Sequence, residues 1–266
     1  MRFLSLLQPA AWMGWLLVVG ALPAQAQSVL DRVISSGVVR VCIWPEYYGV
    51  TYRHVRAQEL SGVDIELSAQ LASDLKVRIE YVDSSFPSLV ADLLSDRCDV
   101  GMFAIGVTAQ RAEKLRFSQP YLRSDIYAIT TKSNQVVRHW SDIDKPGVLV
   151  AVQAGTFMEP VMEQRLQHAQ LVRVKPPATR ERELLAGRVD VFMTDFPYSR
   201  RLLDNADWAR LIAPPTPFSV MPYAYAVKPG DAQWLARVDD FVARIKRDGR
   251  LARAAGNHGL GPVVVR

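Results

Sequence analysis

The 266-residue sequence predicts an α/β protein of two lobes, the second inserted into the first. Three observations carry that expectation. A β-α-β-α-β run fills the first part of the chain. A second run with the same order of elements follows it, without close sequence repetition. A proline-punctuated return then ends in one further strand and two helices. Strands alternating with helices call for mostly parallel sheets flanked by helices. A chain that leaves the first lobe and comes back needs two crossing segments, expected after Tyr121 and near Val220. The expected lobes are residues 27–123 with 222–266, and residues 124–221.

The chain opens with a targeting segment. Arg2 precedes an apolar run from Ala11 to Leu22, and Pro23-Ala24-Gln25-Ala26 supplies a small-x-small cleavage pattern. Residues 1–26 are expected to be a signal peptide cleaved after Ala26, leaving an exported, periplasmic protein. The apolar run is short for a membrane span, and no cysteine follows the cleavage point to take a lipid.

Val29 to Ser36 reads as a helix stopped by Gly37, and Val38 to Ile43 as a strand. Trp44-Pro45-Glu46-Tyr47-Tyr48-Gly49 is an aromatic, turn-rich loop. Ile65 to Leu75 is an amphipathic helix and Lys76 to Val82 a strand. Phe86 to Ser95 is a helix with Leu89, Val90, Leu93 and Leu94 inward, and Cys98 to Ile105 is a strand. Asp125 to Thr131 is extended. Val148 to Val152 is a strand, Met158 to His168 a helix, Leu171 to Val174 a strand, Thr179 to Ala186 a helix stopped by Gly187, and Val189 to Met193 a strand ending at Thr194-Asp195. Pro214, Pro215, Pro217 and Pro222 punctuate the return to a strand at Tyr223 to Val227. Trp234 to Lys246 and Leu251 to His258 close the chain as helices.

Net charge is +5, with lysines and arginines scattered rather than clustered. That is a poor footprint for nucleic acid and a compatible one for a small anionic ligand. Cys42 and Cys98 are the two cysteines. An oxidising compartment allows a bridge between them, and two buried free thiols are equally consistent with the sequence. His54, His139, His168 and His258 lack metal-ligand spacing, and no GxSxG, Walker or GxGxxG motif occurs. No metal, cofactor or catalytic residue is expected.

Ligands of open α/β sheets sit at the carboxyl ends of strands. Four segments fall there: Trp44–Tyr48, Ala104–Arg111, Gln153–Thr156 and Asp195. In the second, a strand ends in small residues and feeds a helix start, leaving backbone N–H groups near Gly106 and Thr108 for an anion. Arg111 adds a planar fork suited to a carboxylate. Thr156, at the Gly155 turn, can donate its hydroxyl to the same group. Asp195 can pair with a ligand ammonium. Phe86, Tyr47 and Trp44 are candidate walls for a ligand side chain. Read alone, each has a plainer alternative: a solvated arginine, a helix cap, a turn aspartate, core aromatics.

Taken together, the residues resemble the periplasmic solute-binding proteins for polar amino acids, of the two-lobed type II fold. The resemblance runs through LDRVISSGVVRV at 30–41, GVDIELSAQLASDL at 62–75, GVTAQRAEKLRFSQPY at 106–121, VAVQAGTFMEPVM at 150–162 and GRVDVFMTDFP at 187–197. It implies that Arg111 binds the ligand α-carboxylate with Thr156 and the backbone near Gly106 and Thr108. It implies that Asp195 binds the α-ammonium and that Tyr47 and Phe86 pack the ligand side chain. It also implies a monomer that hands its ligand to an inner-membrane ABC permease. Two positions depart from the family pattern. Ala104 and Gly106 stand where Ser or Thr is frequent, and Phe157 replaces a second hydroxyl after Gly155-Thr156. The chain is also similar to periplasmic cyclohexadienyl dehydratases of the same fold, notably in FPSLVADLLSDRCDV and IDKPGV. In their pattern a Glu follows three residues after the strand-end Asp; here that residue is Tyr198. Glu46 and Glu159 are the remaining candidates for an acid.

Overall fold

The computed structural model describes residues 27–266; the expected signal peptide lies outside the described residues. Helix α1 (Val29–Ser36) is capped by Ser28, whose hydroxyl accepts the Leu30 N–H, and it ends at Gly37. Strand β1 (Val38–Ile43) follows. The aromatic loop folds further than expected. β2 (Glu46–Tyr47), β3 (Thr51–Arg53) and β4 (Leu60–Ser61) form a small antiparallel sheet over the end of β1. At Gly62 a Cβ would lie 2.2 Å from the Val50 carbonyl oxygen, so only glycine lets the chain turn into α2 (Val63–Leu75). β5 (Arg78–Asp83), α3 (Leu89–Leu94), β6 (Val100–Gly106), α4 (Ala109–Lys114), β7 (Arg116–Phe117) and β8 (Leu122–Ser124) complete the first passage. α3 begins three residues later than expected, and Phe86, Pro87 and Ser88 form the turn that leads into it.

The second passage runs through β9 (Ile126–Thr131), β10 (Leu149–Gln153), α5 (Met158–Arg165), β11 (Gln170–Val174), α6 (Arg180–Leu185), β12 (Val191–Asp195), α7 (Phe196–Asn205) and β13 (Ala209–Ile212). The sequence reading lacks α7 and β13. Pro197 looks like punctuation, but a proline is tolerated in the first helical turn, and Asp195 caps the helix by accepting the Tyr198 N–H at 3.0 Å. The return supplies β14 (Met221–Val227), α8 (Ala232–Arg247) and α9 (Arg250–Asn257).

Two main sheets result. The first is ordered β5-β1-β6-β14-β7, with β8 also paired to β14; the second is ordered β11-β10-β12-β9-β13. The parallel expectation holds for β5-β1-β6 and β11-β10-β12. Each sheet is then completed by antiparallel strands that run out of or into a crossing: β14 beside β6, and β9 beside β12. β6 is buried along its whole length, which is why it reads as an unbroken apolar run.

The chain passes between the sheets twice, between Ser124 and Ile126 and between Ile212 and Met221. The two crossings are tied together. The Asp125 carboxylate accepts N–H bonds from Ile126 (2.8 Å), Phe218 (2.8 Å) and Ser219 (2.6 Å), and β8 pairs with the start of β14 through Ser124 and Met221. Cys42 and Cys98 form a disulfide, their Cα atoms 5.5 Å apart, joining the end of β1 to the turn before β6. That settles what the sequence leaves open.

Candidate functional site

The carboxyl ends of β1, β6, β10 and β12 converge between the two sheets, so the four segments singled out in the sequence do meet. At their centre is a small cavity of about 20 Å³, lined by Trp44, Tyr47, Phe86, Ala104, Thr156, Phe157, Met158, Arg180, Thr194, Asp195, Tyr198 and Tyr223. That is room for about one water molecule. The aromatic walls interlock: Trp44 and Tyr47 lie 5.2 Å and 5.9 Å from the Phe86 ring centre, and Tyr47 lies 6.3 Å from Tyr198. Groups of the first sheet reach groups of the second here. The missing Cβ of Gly155 allows a close approach, because a side chain there would begin 2.8 Å from the Pro87 nitrogen.

Asp195 is fully buried at the end of β12. Its Oδ2 accepts hydrogen bonds from the Tyr47 and Tyr223 hydroxyls, the latter at 2.7 Å. Burial pushes its carboxyl up from the ordinary range, against the opposing effect of the three donors. No cation is ion-paired with it among the described residues.

Arg111 is also buried. It donates from Nη1 to the Gly106 carbonyl (2.8 Å) and from Nη2 to the Gly155 carbonyl across the interface (2.7 Å), with Phe86 5.2 Å beneath it. Burial lowers its pKa to about 10, and no carboxylate pairs with it among the described residues. Arg111 does not line the inner cavity. It opens onto an adjoining space of about 510 Å³, bounded also by Thr108, Gly155, Glu159 and Glu163. Thr156 and Phe157 line both spaces and form the partition between them.

Several expected donors are engaged in this closed arrangement. The Thr108 N–H is given to the Gly106 carbonyl (3.0 Å), and the Thr108 hydroxyl caps α4 at Arg111 N. The Thr156 hydroxyl is given to the Gln153 carbonyl (2.8 Å). The Gly155 N–H is given to Glu159 (2.7 Å). Gln153 is buried and lines neither space, its carbonyl holding the Thr156 hydroxyl. Thr108 and Gly106 likewise do not line the inner cavity. The physical reason is that buried polar groups pair with whatever is nearest when the surfaces close.

Gly106 and Phe157, two of the departures from the family pattern, are neighbours here. A side chain on Gly106 would begin 3.0 Å from the Met221 side chain, a tight contact, and 3.5 Å from Phe157, an ordinary one.

A second buried carboxylate was not foreseen. Asp64, in the first turn of α2, accepts the Ala104 N–H (2.8 Å) and the hydroxyls of Tyr121 and Tyr225. In sequence it reads as an ordinary acidic residue at a helix N-terminus. Its task is to hold Ala104, a non-glycine residue at φ +47°, a conformation that costs about 1–2 kcal/mol. Burial raises the Asp64 carboxyl to about 6 despite its three donors. Its pKa is therefore higher folded than unfolded. The proton-linked stability is fully present below about pH 4 and is lost as pH rises through about 6, a change of about 3 kcal/mol. Asp64→Asn is expected to flatten that part of the stability profile. Urea unfolding of both proteins between about pH 4 and 7 checks it; parallel profiles would contradict the assignment.

Tyr223, Arg180 and Thr194 also escaped the sequence reading, and Tyr198 enters it only as the residue in place of the dehydratase glutamate. Tyr223 and Tyr225 sit two residues apart on β14 and so share a face, which is the signal that could have found the first. Arg180 opens a short helix and looks like any solvated arginine.

A closed cleft between two α/β sheets, crossed twice by the chain and holding buried charges of both signs, is the architecture of the two-lobed, type II periplasmic binding proteins. The model of the bacterial extracellular solute-binding proteins, family 3, matches residues 39–259, and the chain belongs to that family. It is 30% identical over 237 residues to the cyclohexadienyl dehydratase of Pseudomonas aeruginosa, covering 89% of this chain and 87% of that one. It is 28% identical over 225 residues to the L-cystine-binding protein TcyJ of Escherichia coli K12, covering 85% and 84%. Among solved structures, an ancestral amino acid-binding protein that is a precursor of cyclohexadienyl dehydratase superposes with a TM-score of 0.79 at 26% identity, covering 86% of this chain and 99% of that one.

Proposed function

We propose that this protein captures an amino acid, or a related small carboxylate, between two closing lobes and delivers it to an inner-membrane ABC importer. One observation carries the reading. Arg111 and Asp195 are buried charges of opposite sign, on opposite sheets, and neither has an ion-pair partner among the described residues. Such charges are costly to bury alone. A zwitterion compensates both, its carboxylate at Arg111 and its ammonium at Asp195. Ligand entry requires the lobes to part and Phe157, Thr156 and the tyrosine hydroxyls to give way. The lobes are residues 27–123 with 222–266, and residues 124–221. Trp44, Tyr47, Phe86 and Ala104 form the wall of one lobe, and Thr156 supplies a hydroxyl from the other. The protein acts as a periplasmic monomer once the signal peptide is removed.

The relative from Pseudomonas aeruginosa favours a lyase as the second reading. Tyr198 weighs against it. Burial pushes its phenol well above the ordinary value, and its proton is already committed to Glu181 at 2.7 Å. Glu159 is tied to Arg173 and Gly155, and Glu46 is exposed on β2. Neither glutamate is thereby placed as the acid for dehydration.

Arg111→Ala is expected to weaken amino-acid binding by about a hundredfold or more, the effect of removing a buried, hydrogen-bonded charge from a binding site. Calorimetry of the chain from Gln27 against the common amino acids checks it, and unchanged affinity would defeat the clamp. Incubation with prephenate tests the lyase: release of phenylpyruvate would overturn the receptor reading.

A further inference from the structure

The cleft holds one more buried cation than a simple amino acid needs. Arg180 opens α6 in the second lobe, is 3% exposed and lines the inner cavity beside Asp195. Its guanidinium lies over the rings of Tyr198 (4.6 Å) and Phe192 (5.2 Å). Among the described residues its hydrogen bond is from Nη1 to the Met193 carbonyl at 2.8 Å, and no carboxylate is ion-paired with it. The neighbouring Glu181 is engaged by the Tyr198 hydroxyl. An independent observation marks the same spot. The hydroxyl of Thr194, fully buried and lining the same cavity, has no hydrogen-bond partner.

The charges decide the ligand class. Arg111 and Arg180 are cations and Asp195 is an anion. Arg180 and Asp195 feel each other's charge, so a zwitterion with a neutral side chain, which adds no net charge, leaves the cleft with one buried positive charge in excess, which is costly. A ligand with a second carboxylate offsets all three. The geometry points to an amino dicarboxylate as the ligand, its side-chain carboxylate held by Arg180 and the Thr194 hydroxyl. This rests on the clamp reading and adds a subsite to it. The aromatic walls leave the spacer between the two carboxylates open to either a short chain or a ring.

Calorimetry on the chain from Gln27 uses three matched pairs of acid and amide: L-aspartate and L-asparagine, L-glutamate and L-glutamine, para-carboxy- and para-carbamoyl-L-phenylalanine. The acid is expected to bind at least about tenfold more tightly than its amide in one or more pairs, the worth of one charge-assisted contact. Arg180→Gln is expected to erase that preference, so that acid and amide bind alike. Arg180→Met, which retains the apolar stem over the rings, should do the same if the glutamine variant does not fold. Equal binding of acid and amide in every pair overturns the inference and leaves the clamp standing, as does a preference that survives both variants. Binding of no amino acid from any class overturns the clamp and the subsite with it.

Discussion

Asp195→Ala is expected to lower amino-acid affinity by about 3 kcal/mol or more, roughly a hundredfold, because a buried ammonium loses its counter-charge. The substitution does more than empty one subsite. Asp195 also caps α7 and gathers the hydroxyls of Tyr47 and Tyr223, so loss of the cap alone should cost about 1 kcal/mol of stability. Asp195→Asn separates the two effects. It keeps an oxygen for the cap and the tyrosines but not the charge, so stability should largely return while affinity does not. The same carboxylate sets the direction of a pH effect. Burial raises it; acidification therefore protonates it sooner than an exposed aspartate, and affinity for an ammonium should fall as pH drops. The comparison that decides the matter uses deaminated carboxylates. If they lose as much affinity in Asp195→Ala as amino acids do, Asp195 does not hold the ammonium.

Replacing both Cys42 and Cys98 by alanine is expected to destabilise the protein by about 4 kcal/mol, within the usual range of about 2–5. The bridge spans 56 positions, and removing it releases that loop in the unfolded chain. Both residues are buried in the first lobe, so ligand affinity should change little in the folded variant. Urea unfolding gives the first quantity and calorimetry the second. A loss below about 1 kcal/mol would mean that the bridge does not constrain the unfolded chain as assumed.

Much of this molecule was legible in the sequence, for identifiable reasons. Strands buried on both faces, such as β6, show as apolar runs, and helices such as α8 show their period. The positions of Arg111, Thr156 and Asp195 followed from strand ends. What was not legible depends on long-range pairing. Asp64 and Tyr225 are separated by 161 positions and Tyr47 and Asp195 by 148; no local pattern announces such partners. α7 was hidden because proline has two meanings, breaker or first-turn residue, and only the cap at Asp195 decides between them. Arg180 was hidden because burial, not residue type or spacing, distinguishes it from the other arginines.

Asp125 has a consequence for how the molecule can move. Its carboxylate binds backbone N–H groups from both crossings at once, and Ser124 pairs with Met221 beside it. Two separate tethers would permit the lobes to slide, twist and rock independently. A single stitched ribbon bends readily across its flat face and resists sliding along its length. If the lobes part as proposed, this ribbon favours a single swing over sliding, which would return Arg111 on one lobe to the same register with Arg180 and Asp195 on the other.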